Sequence, residues 1–391
     1  MNLNQRKLLI TGASGFIGSF VVERALELGA EVWVIARSTS NKRYLSDSRI
    51  HFITADLANE TAVVANALCA ADTQWDACIH VAGVTKAIDA AAFDRGNYQA
   101  TVHLVEALLQ KHLLKGRFVY FSSLSVMGAP KELPAMQPAK GEHHLHINEI
   151  LQKFLFKGRL VHFGSPNVMG ASKEIPDMQP AKGEHYLPIN EKDEPKPNTE
   201  YGRSKLKTEQ ALKRLAIEQN LDYIALRPTG VYGPREKDYF MMAQSIKNHI
   251  DFSVGYKPQD ITFIYVRDLV EAALAAIDKG TSGRAYFLTD GRSYASRDYS
   301  DLLQQEMGVK NVLHIKAPLW LLRIICSFNS MMTRITRRPT TLNNDKYHIL
   351  RQRNWLCDIT PAKNDLDYNP QWPLERGVKE TVAWYKENKW L

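Results

Sequence analysis

The 391-residue sequence predicts an α/β protein whose central sheet is parallel and has helices on both faces. Residues 7–11 (KLLIT) are apolar enough for a buried strand, and the glycine-rich turn TGASGFIG follows at 11–18. An apolar-periodic helix then runs from Phe16 to about Leu28, and EVWVIA at 31–36 predicts a second strand. A strand, a turn, a helix and a strand in this order form a βαβ unit, whose two strands are parallel.

Further strands and helices repeat this alternation along the chain. Helices are predicted through 102–114 and after Asn198, and further strands at 51–56, 77–83, 117–123 and 222–228. The repetition predicts a Rossmann-like, doubly wound parallel sheet. We place most of this sheet at 1–225 and expect residues 226–391 to be interleaved with its last elements.

A 42-residue internal duplication interrupts the pattern. Residues 109–148 align with residues 151–190 at a constant offset of 42, with 28 identities in 40 positions. One repeat is too few for a solenoid, which needs at least about three units. A sheet has a single place for the duplicated strand, so we interpret one copy as an insertion. It is either a neutral surface excursion, which long loops tolerate, or a new surface for a substrate or partner.

The composition is that of a globular protein, with 45% hydrophobic and 24% charged residues. It excludes a disordered or fibrous chain. The net charge of +8 lies in one segment, because residues 310–353 contain nine Lys or Arg and one Asp, whereas the rest carries 41 basic and 41 acidic groups. No second basic patch supports a nucleic-acid partner. The four cysteines show no C-x-x-C spacing, which argues against a disulfide scaffold or a metal site and predicts a reducing, cytoplasmic compartment.

The basic segment contains a predicted amphipathic helix at 318–338. Its large apolar side chains, Trp320 and Phe328 among them, fall on one broad face at 100° per residue, and three arginines fall on another. The helix therefore packs on the core of the substrate domain, binds peripherally at the inner membrane surface, or forms a lid over an apolar substrate. No apolar run reaches the roughly 18 residues that a membrane span needs.

Two motifs predict chemistry. The first is Gly12-x-x-Gly15-x-x-Gly18, which lies between a strand and a helix. Its glycines permit a tight turn and bring the backbone, together with Phe16 and Ile17 at the helix N-terminus, close to a pyrophosphate. We therefore expect a dinucleotide to bind at this turn.

The second motif is Tyr201-x-x-x-Lys205, whose spacing puts both side chains on one face of a helix. A free tyrosine has a pKa of about 10, too high for acid–base work at neutral pH. We expect the neighbouring ammonium to lower it. A serine at the end of the duplicated strand, Ser123 in the first copy or Ser165 in the second, could hydrogen-bond a substrate oxygen beside the tyrosine. Ser165 is nearer to Tyr201 in sequence, but the first copy keeps its full helix and hydroxyls, so we favour Ser123.

Together these residues resemble the extended short-chain dehydrogenase/reductase superfamily, the NAD(P)-dependent epimerase/dehydratase family. The C-terminal W-x-x-D and L-x-Y-x-P patterns are similar to the 3β-hydroxysteroid dehydrogenase and dihydroflavonol reductase-like branch. The resemblance implies that the tyrosine is the acid/base, that the lysine binds the nicotinamide ribose and that the serine holds the substrate. It implies that residues 1–225 form the NADP-binding domain and that residues 226–391 form a smaller C-terminal substrate domain. It also implies further cofactor contacts at Asp56, Leu57, Ala82, Gly83 (where alanine is usual), Asn97, Pro228 and Thr229.

Two departures from the family pattern refine the expectation. The acidic residue that NAD-preferring members carry after the second strand is absent, since Ala36 and Arg37 stand there. An arginine can hold a 2′-phosphate, so we predict NADP as the cofactor, with NAD as the alternative. Ile261 stands where nucleotide-sugar members commonly carry an arginine that grips the substrate diphosphate, which favours an apolar substrate; Arg235 and Lys237 could still offer charge nearby.

The expected activity is a hydride transfer between the nicotinamide and a carbonyl or alcohol substrate. One alternative is a nucleotide-sugar epimerase or dehydratase, in which the cofactor is recycled. Another is a non-enzymatic NADP(H)-binding sensor. The resemblance also implies a homodimer formed through the Tyr201 helix, unless the insertion interferes.

Overall fold

The computed structural model describes residues 2–128, 187–336, 340 and 342–391. The strands are β1 (Lys7–Thr11), β2 (Glu31–Ala36), β3 (Ile50–Thr54), β4 (Ala77–His80), β5 (Phe118–Phe121), β6 (Tyr223–Pro228), β7 (Gly230–Tyr232), β8 (Ile250–Val254), β9 (Asp260–Ile261), β10 (Phe263–Tyr265), β11 (Ala285–Leu288), β12 (Tyr294–Ala295) and β13 (Leu313–Ala317).

Helices alternate with these strands. They are α1 (Phe16–Glu27), α2 (Thr61–Cys69), α3 (Ala90–Phe93), α4 (Ala100–Gln110), α5 (Glu200–Gln219), α6 (Asp238–Lys247), α7 (Val266–Ala275), α8 (Asp298–Met307), α9 (Leu319–Thr336), α10 (Asn344–Arg351), α11 (Thr360–Leu366) and α12 (Leu374–Glu387). A π-helical turn, Asp94–Gln99, joins α3 to α4, and a 3-10 turn, Leu124–Val126, follows β5.

The central sheet has seven strands in the order β11-β6-β5-β4-β1-β2-β3. Every neighbouring pair is parallel, and β1 lies between β2 and β4 with Leu8 opposite Val32 and Ala77. The strand order changes direction between β1 and β4. The chain continues from β1 to β2 on one side of the sheet, and from β4 to β5 on the other. In open parallel sheets, ligands bind outside the carboxyl ends of the strands at this switch point.

Alternate residues of each strand enter two separate cores. Leu8 and Ile10 pack in one core with helix α1, whereas Leu9 packs in the other with helices α2, α4 and α5. The strands are therefore buried on both faces, as their continuous apolar sequences predict. The predicted doubly wound α/β fold is confirmed.

The C-terminal part adds small sheets beside the large one. β7 pairs with β10, β8 with β13 and β9 with β12. Strand β6 spans the predicted boundary at residue 225, and β11, which lies after that boundary, pairs with β6 in the large sheet. The two predicted parts of the chain therefore share the last strands of this sheet.

The described body takes residues from both copies of the duplication. Strand β5 comes from the first copy and lies between β4 and β6. From the second copy, Ile189 is buried and its N–H donates to the Leu356 carbonyl at 2.9 Å. Residues 129–186, which include Ser165, lie outside the described residues.

Within the described ranges, no helix is both long and apolar enough to cross a bilayer. The predicted amphipathic helix is present as α9, and it packs beside α10. Most of its apolar side chains point outward rather than into the core.

Candidate functional site

The glycine turn joins β1 to α1 at the switch point. Gly12 has a φ of +69°, and a Cβ there would lie 2.5 Å from the Ala82 nitrogen. A Cβ on Gly18 would collide with the Gly12 carbonyl. No side chain caps the N-terminus of α1 at Gly15, and no acidic residue lies in its first turn. The free amides and the positive end of the helix dipole suit a pyrophosphate, so this turn fits the dinucleotide that the sequence predicts. Phe16 and Ile17 are half-buried in the first turn of α1.

A buried chain of hydrogen bonds runs behind the turn. The Ala82 N–H donates to Thr11 Oγ1 at 3.2 Å, and Thr11 Oγ1 lies 2.7 Å from His80 Nδ1. On the other side, His80 Nε2 lies 2.9 Å from Thr101 Oγ1, whose hydroxyl donates to the Asn97 carbonyl at 2.6 Å. Since that hydroxyl is a donor, it accepts from His80 Nε2–H, and Nδ1 accepts from Thr11. Burial, with the Lys205 charge adding to it, lowers the pKa of His80 to about 3 and keeps the ring neutral.

Asn97 lies in the π-helical turn, an element often found at functional sites. Its Oδ1 accepts from the Val84 N–H at 2.7 Å, and its Nδ2 donates to Ser204 Oγ at 2.9 Å. Asn97 therefore fastens the loop after β4 to helix α5. A Cβ on Gly83 would lie 2.9 Å from Asn97 Oδ1 and 3.1 Å from Lys205 Nζ, which explains a glycine at this position.

Helix α5 carries the tyrosine–lysine pair and begins where the sequence predicts it. Thr199 caps it by accepting from the Gly202 N–H at 2.9 Å. A second cap comes from α10, because the Asp345 carboxylate accepts from the N–H groups of Glu200 and Tyr201, each at 3.1 Å. Asp345 is the single acidic residue of the basic segment 310–353. A carboxylate at a helix N-terminus is favourable, so Asp345 positions the start of the tyrosine helix.

Tyr201 and Ser123 meet at the end of β5. The Ser123 hydroxyl is close enough to the Tyr201 phenol to influence its pKa. Gly202 permits this approach, because a Cβ there would collide with the Ser125 carbonyl. Burial raises the pKa of Tyr201 to about 12, against the opposing effect of the Ser123 hydroxyl. The expectation that Lys205 lowers this pKa is wrong for the chain alone, since burial outweighs every other effect and the ammonium lies 6.0 Å from the ring centroid.

Lys205 is 4% exposed and lies beside the carboxyl end of strand β5. Its Nζ donates to the Phe121 carbonyl at 2.7 Å and lies 4.9 Å from the centroid of the Tyr120 ring. Burial lowers the pKa of Lys205 to about 8, and the Glu209 carboxylate opposes this shift. The lysine is thus held by strand β5, one turn along the helix from Tyr201.

A buried ion pair supports this arrangement one helical turn beyond Lys205. Glu209, one further turn along α5, accepts from Arg227 of β6 at 2.6 and 3.0 Å. The Ser122 hydroxyl also donates to Glu209 at 2.5 Å. The pair therefore ties α5 to β5 and β6 directly beside Ser123. In the second copy of the duplication, Gly164 stands in place of Ser122 and has no hydroxyl.

The residues expected at the adenine end lie on the surface. Arg37 follows β2 and is exposed, and its backbone N–H donates to Ser40 Oγ at 3.1 Å. Its guanidinium makes no hydrogen bond or ion pair within the part of the chain that the structure describes. Asp56 is exposed and caps its own turn by accepting from the Ala58 N–H at 3.0 Å, whereas Leu57 is buried.

A cavity of 410 Å³ opens beside Ser123. Pro228 and Thr229, at the end of β6, line it, and the Thr229 hydroxyl donates to the Thr262 carbonyl at 2.9 Å. Most of the wall is apolar or aromatic and comes from the C-terminal part: Tyr239, Met242, Phe252, Val254, Ile261, Phe263, Tyr299, Ile349, Leu350 and Trp355. The cavity wall thus comes mainly from residues after 225, whereas the glycine turn lies near the start of the chain.

The two charged residues that were expected near a substrate, Arg235 and Lys237, are not among the described residues that line the cavity. Arg235 is bound to α1, where it donates to Glu23 at 2.7 Å and stacks on Phe20 at 4.3 Å. Lys237 precedes α6 and is exposed, outside the described residues that line the cavity. Ile261 does line the cavity. Among the described lining residues only Asp238, paired with Lys86 at 2.5 Å, and Lys346 are charged.

Sequence reasoning missed the supporting residues of this site. His80, Asp345, Glu209 and Arg227 are each separated by many residues from at least one group that they hold. Two of them could have been found from the sequence. Glu209 and Arg227 are opposite charges within a predicted helix and a predicted buried strand, and charges that are buried need a partner. No local pattern marks Asp345 as a helix cap.

The strand order and the glycine turn define a Rossmann-like, nucleotide-binding class of protein. A model of the NAD dependent epimerase/dehydratase family matches residues 8–149 and 142–288, two segments that each contain one copy of the duplication. The chain belongs to this family and is an enzyme, as the resemblance predicts.

Individual relatives are distant. The Uncharacterized protein YbjS of Escherichia coli (strain K12) is 23% identical over 392 residues, which cover 98% of each chain. A 3 beta-hydroxysteroid dehydrogenase/Delta 5-->4-isomerase of Vaccinia virus (strain Copenhagen) is 27% identical over 211 residues, 49% of this chain and 59% of that protein. The crystal structure of UDP-glucose 4-epimerase with UDP-glucose from Thermotoga maritima superposes with a TM-score of 0.69 at 19% identity, covering 98% of this chain and 99% of the other. That likeness concerns the fold.

Proposed function

We propose that the protein transfers a hydride between a nicotinamide cofactor, NADP in preference to NAD, and an apolar ketone, aldehyde or alcohol. The observation that carries this proposal is the position of Ser123, which lies beside the Tyr201 phenol and lines a largely apolar 410 Å³ cavity. A pocket of this kind, with a few convergent polar groups, is typical of a small-molecule site.

The residues divide the work of a carbonyl reduction. The glycine turn would hold the cofactor through its pyrophosphate, and the nicotinamide would supply the hydride. Ser123 holds the substrate oxygen by a hydrogen bond. Tyr201, which is protonated at neutral pH because burial raises its pKa to about 12, donates the proton to that oxygen. Lys205, which is held against strand β5, would bind the nicotinamide ribose, and Asn97 and Asp345 keep the helix in register with the turn.

The cavity supports an apolar substrate over a nucleotide sugar. A diphosphate needs several cations or free N–H donors in a buried site. Among the described lining residues Lys346 is the single cation that is not paired with a lining carboxylate. That lysine is also the observation that favours the second candidate, a nucleotide-sugar epimerase or dehydratase, and the Vibrio cholerae relative named UDP-glucose 4-epimerase, 23% identical over 192 residues, points the same way.

Net cofactor turnover distinguishes the two candidates. The purified protein is incubated with NADPH and a panel of ketones and aldehydes of increasing apolar size, and in parallel with UDP- and GDP-sugars. We expect NADPH to be consumed with at least one free carbonyl compound. Conversion of a nucleotide sugar with no net change in the cofactor would contradict the proposal and identify the second candidate.

The preference for NADP rests on Arg37. Its exposed guanidinium lies after β2 with no acidic neighbour at residue 36, and a hydrogen bond between charged groups is worth about 1.5–3 kcal/mol. We therefore expect Arg37→Asp to raise the Kd for NADPH about tenfold to hundredfold and to leave the Kd for NADH unchanged or lower, in a fluorescence titration.

Lys42→Asp is the matched control, because it makes the same charge change five residues further on. The Lys42 ammonium lies 4.1 Å from the centroid of the Phe52 ring, so we expect a smaller effect on NADPH. If NADH binds the unaltered protein as tightly as NADPH does, the preference for NADP is wrong.

A further inference from the structure

Helix α9 presents its apolar face to solvent. Eight of its large apolar side chains are at least 36% exposed, and Trp320, Ile324, Phe328 and Ile335 are between 57% and 68% exposed. The side that packs inward is formed by Leu322, Cys326 and Thr333, which are at most 5% exposed. A soluble monomer rarely leaves such a continuous apolar face uncovered.

Neighbouring strands extend this face. Strand β13 pairs with β8, and Phe252 lies opposite Ile315 in their register. Phe252, Tyr256 and Leu313 are 57%, 67% and 62% exposed. Gly255, which follows β8, lies next to helix α9, since a Cβ on it would lie 3.9 Å from the Leu319 side chain. We call α9 together with the exposed side chains of Phe252, Tyr256 and Leu313 the apolar platform.

Basic side chains surround the apolar platform. Lys257, Lys316 and Arg323 are exposed, and none of them has a carboxylate within 4.0 Å in the ranges that the structure describes. At 100° per residue, Arg323 lies between the buried and the outward sides of α9. The whole segment 310–353 carries a surplus of eight positive charges, whereas the rest of the chain is neutral.

We propose that the apolar platform docks on an anionic lipid bilayer, with α9 lying in the plane of the headgroups. A helix with a strong apolar face, aromatic side chains on that face and cations at its edge is the form that binds at membrane interfaces. Anionic lipid would neutralise the surplus charge. A second copy of this chain would instead bring two such positive segments together, which disfavours a symmetric dimer through this face.

Docking would place the substrate cavity at the membrane surface. Phe252 belongs both to the apolar platform and to the cavity wall, and Val254 of the same strand also lines the cavity. An apolar substrate could then pass from lipid into the cavity. This consequence rests on the proposed function, whereas the docking itself does not.

Vesicle sedimentation tests the docking with the full-length protein. We expect it to sediment at low salt with vesicles of phosphatidylcholine mixed with phosphatidylglycerol, to sediment less with phosphatidylcholine alone, and to be released as salt screens the charges. The double variant Trp320→Ser/Phe328→Ser should lower the bound fraction about tenfold or more. The control Ile217→Ser removes an equally exposed apolar side chain, 75% exposed, from helix α5 and should have no effect.

Two outcomes would overturn the proposal. In one, the unaltered protein stays in the supernatant with the anionic vesicles at low salt. In the other, analytical ultracentrifugation shows a dimer that the Trp320→Ser/Phe328→Ser variant dissociates, which would assign the apolar platform to a second copy. Thermal unfolding and NADPH binding of each variant without vesicles keep the result separate from misfolding and from failure of the proposed reaction.

Discussion

Tyr201→Phe is expected to lower kcat for carbonyl reduction by about 10²–10⁴-fold, the range that a general acid typically contributes. The change removes the phenol that donates the proton but keeps the ring, which packs 6.1 Å from that of Phe93. The Kd for NADPH should change little, because the glycine turn, Asn97 and Lys205 are untouched. Steady-state kinetics together with a cofactor titration measure both quantities.

The pH dependence of alcohol oxidation gives a second readout for the same variant. Oxidation needs the deprotonated tyrosine, and burial raises the pKa of Tyr201 to about 12. The phenolate fraction therefore increases with pH across the neutral range, and the oxidation rate of the unaltered enzyme should increase with it. Tyr201→Phe should abolish this dependence.

Tyr98→Phe serves as the control for that experiment. It removes the same hydroxyl from a tyrosine whose ring packs under the Lys207 ammonium at 3.9 Å, on the outer side of α5. We expect its kcat to be unchanged. A Tyr201→Phe enzyme that kept more than about a tenth of the activity would contradict the assignment of Tyr201 as the acid.

Local patterns in the sequence predict the framework of this site well. The βαβ unit, the glycine turn and the start of α5 after Asn198 each depend on residues close together in the chain, so short-range rules are enough for them. The predicted fold is confirmed for this reason. The pKa of Tyr201 is a different matter, because it depends on how deeply the rest of the fold buries the phenol.

Long-range contacts could not be predicted in the same way. Asp345 caps α5 across 145 residues of sequence, and Arg227 meets Glu209 across two elements. The amphipathic pattern at 318–338 predicts a helix with one apolar face but says nothing of what that face meets. Its outward direction in the structure depends on how the helix packs beside α10, which a single helical segment does not specify.

The duplication leaves two candidates for the proposed substrate-binding serine, and the structure supports a direct prediction for them. Ser123→Ala is expected to lower kcat/KM for the carbonyl substrate about tenfold to hundredfold, because a buried oxygen would lose one hydrogen bond, worth about 1.5–3 kcal/mol where charge develops. Ser165→Ala, the same change in the other copy, should have no effect. Equal small losses in both variants would mean that neither serine acts alone.

Two deletions of 42 residues test the copies more strongly, because each leaves a continuous single-copy sequence. Removing 129–170 keeps the first-copy strand with Ser122, Ser123 and Tyr120, which hold Glu209, Tyr201 and Lys205. We expect this enzyme to fold and to keep its kcat. Removing 109–150 puts Gly164 and His162 at the positions of Ser122 and Tyr120, so Glu209 loses the hydroxyl that it binds and Lys205 loses the aromatic ring beside it. We expect the second enzyme to lose most of its activity while still binding NADPH at the unaltered glycine turn; full activity after the second deletion would show that the two copies are interchangeable.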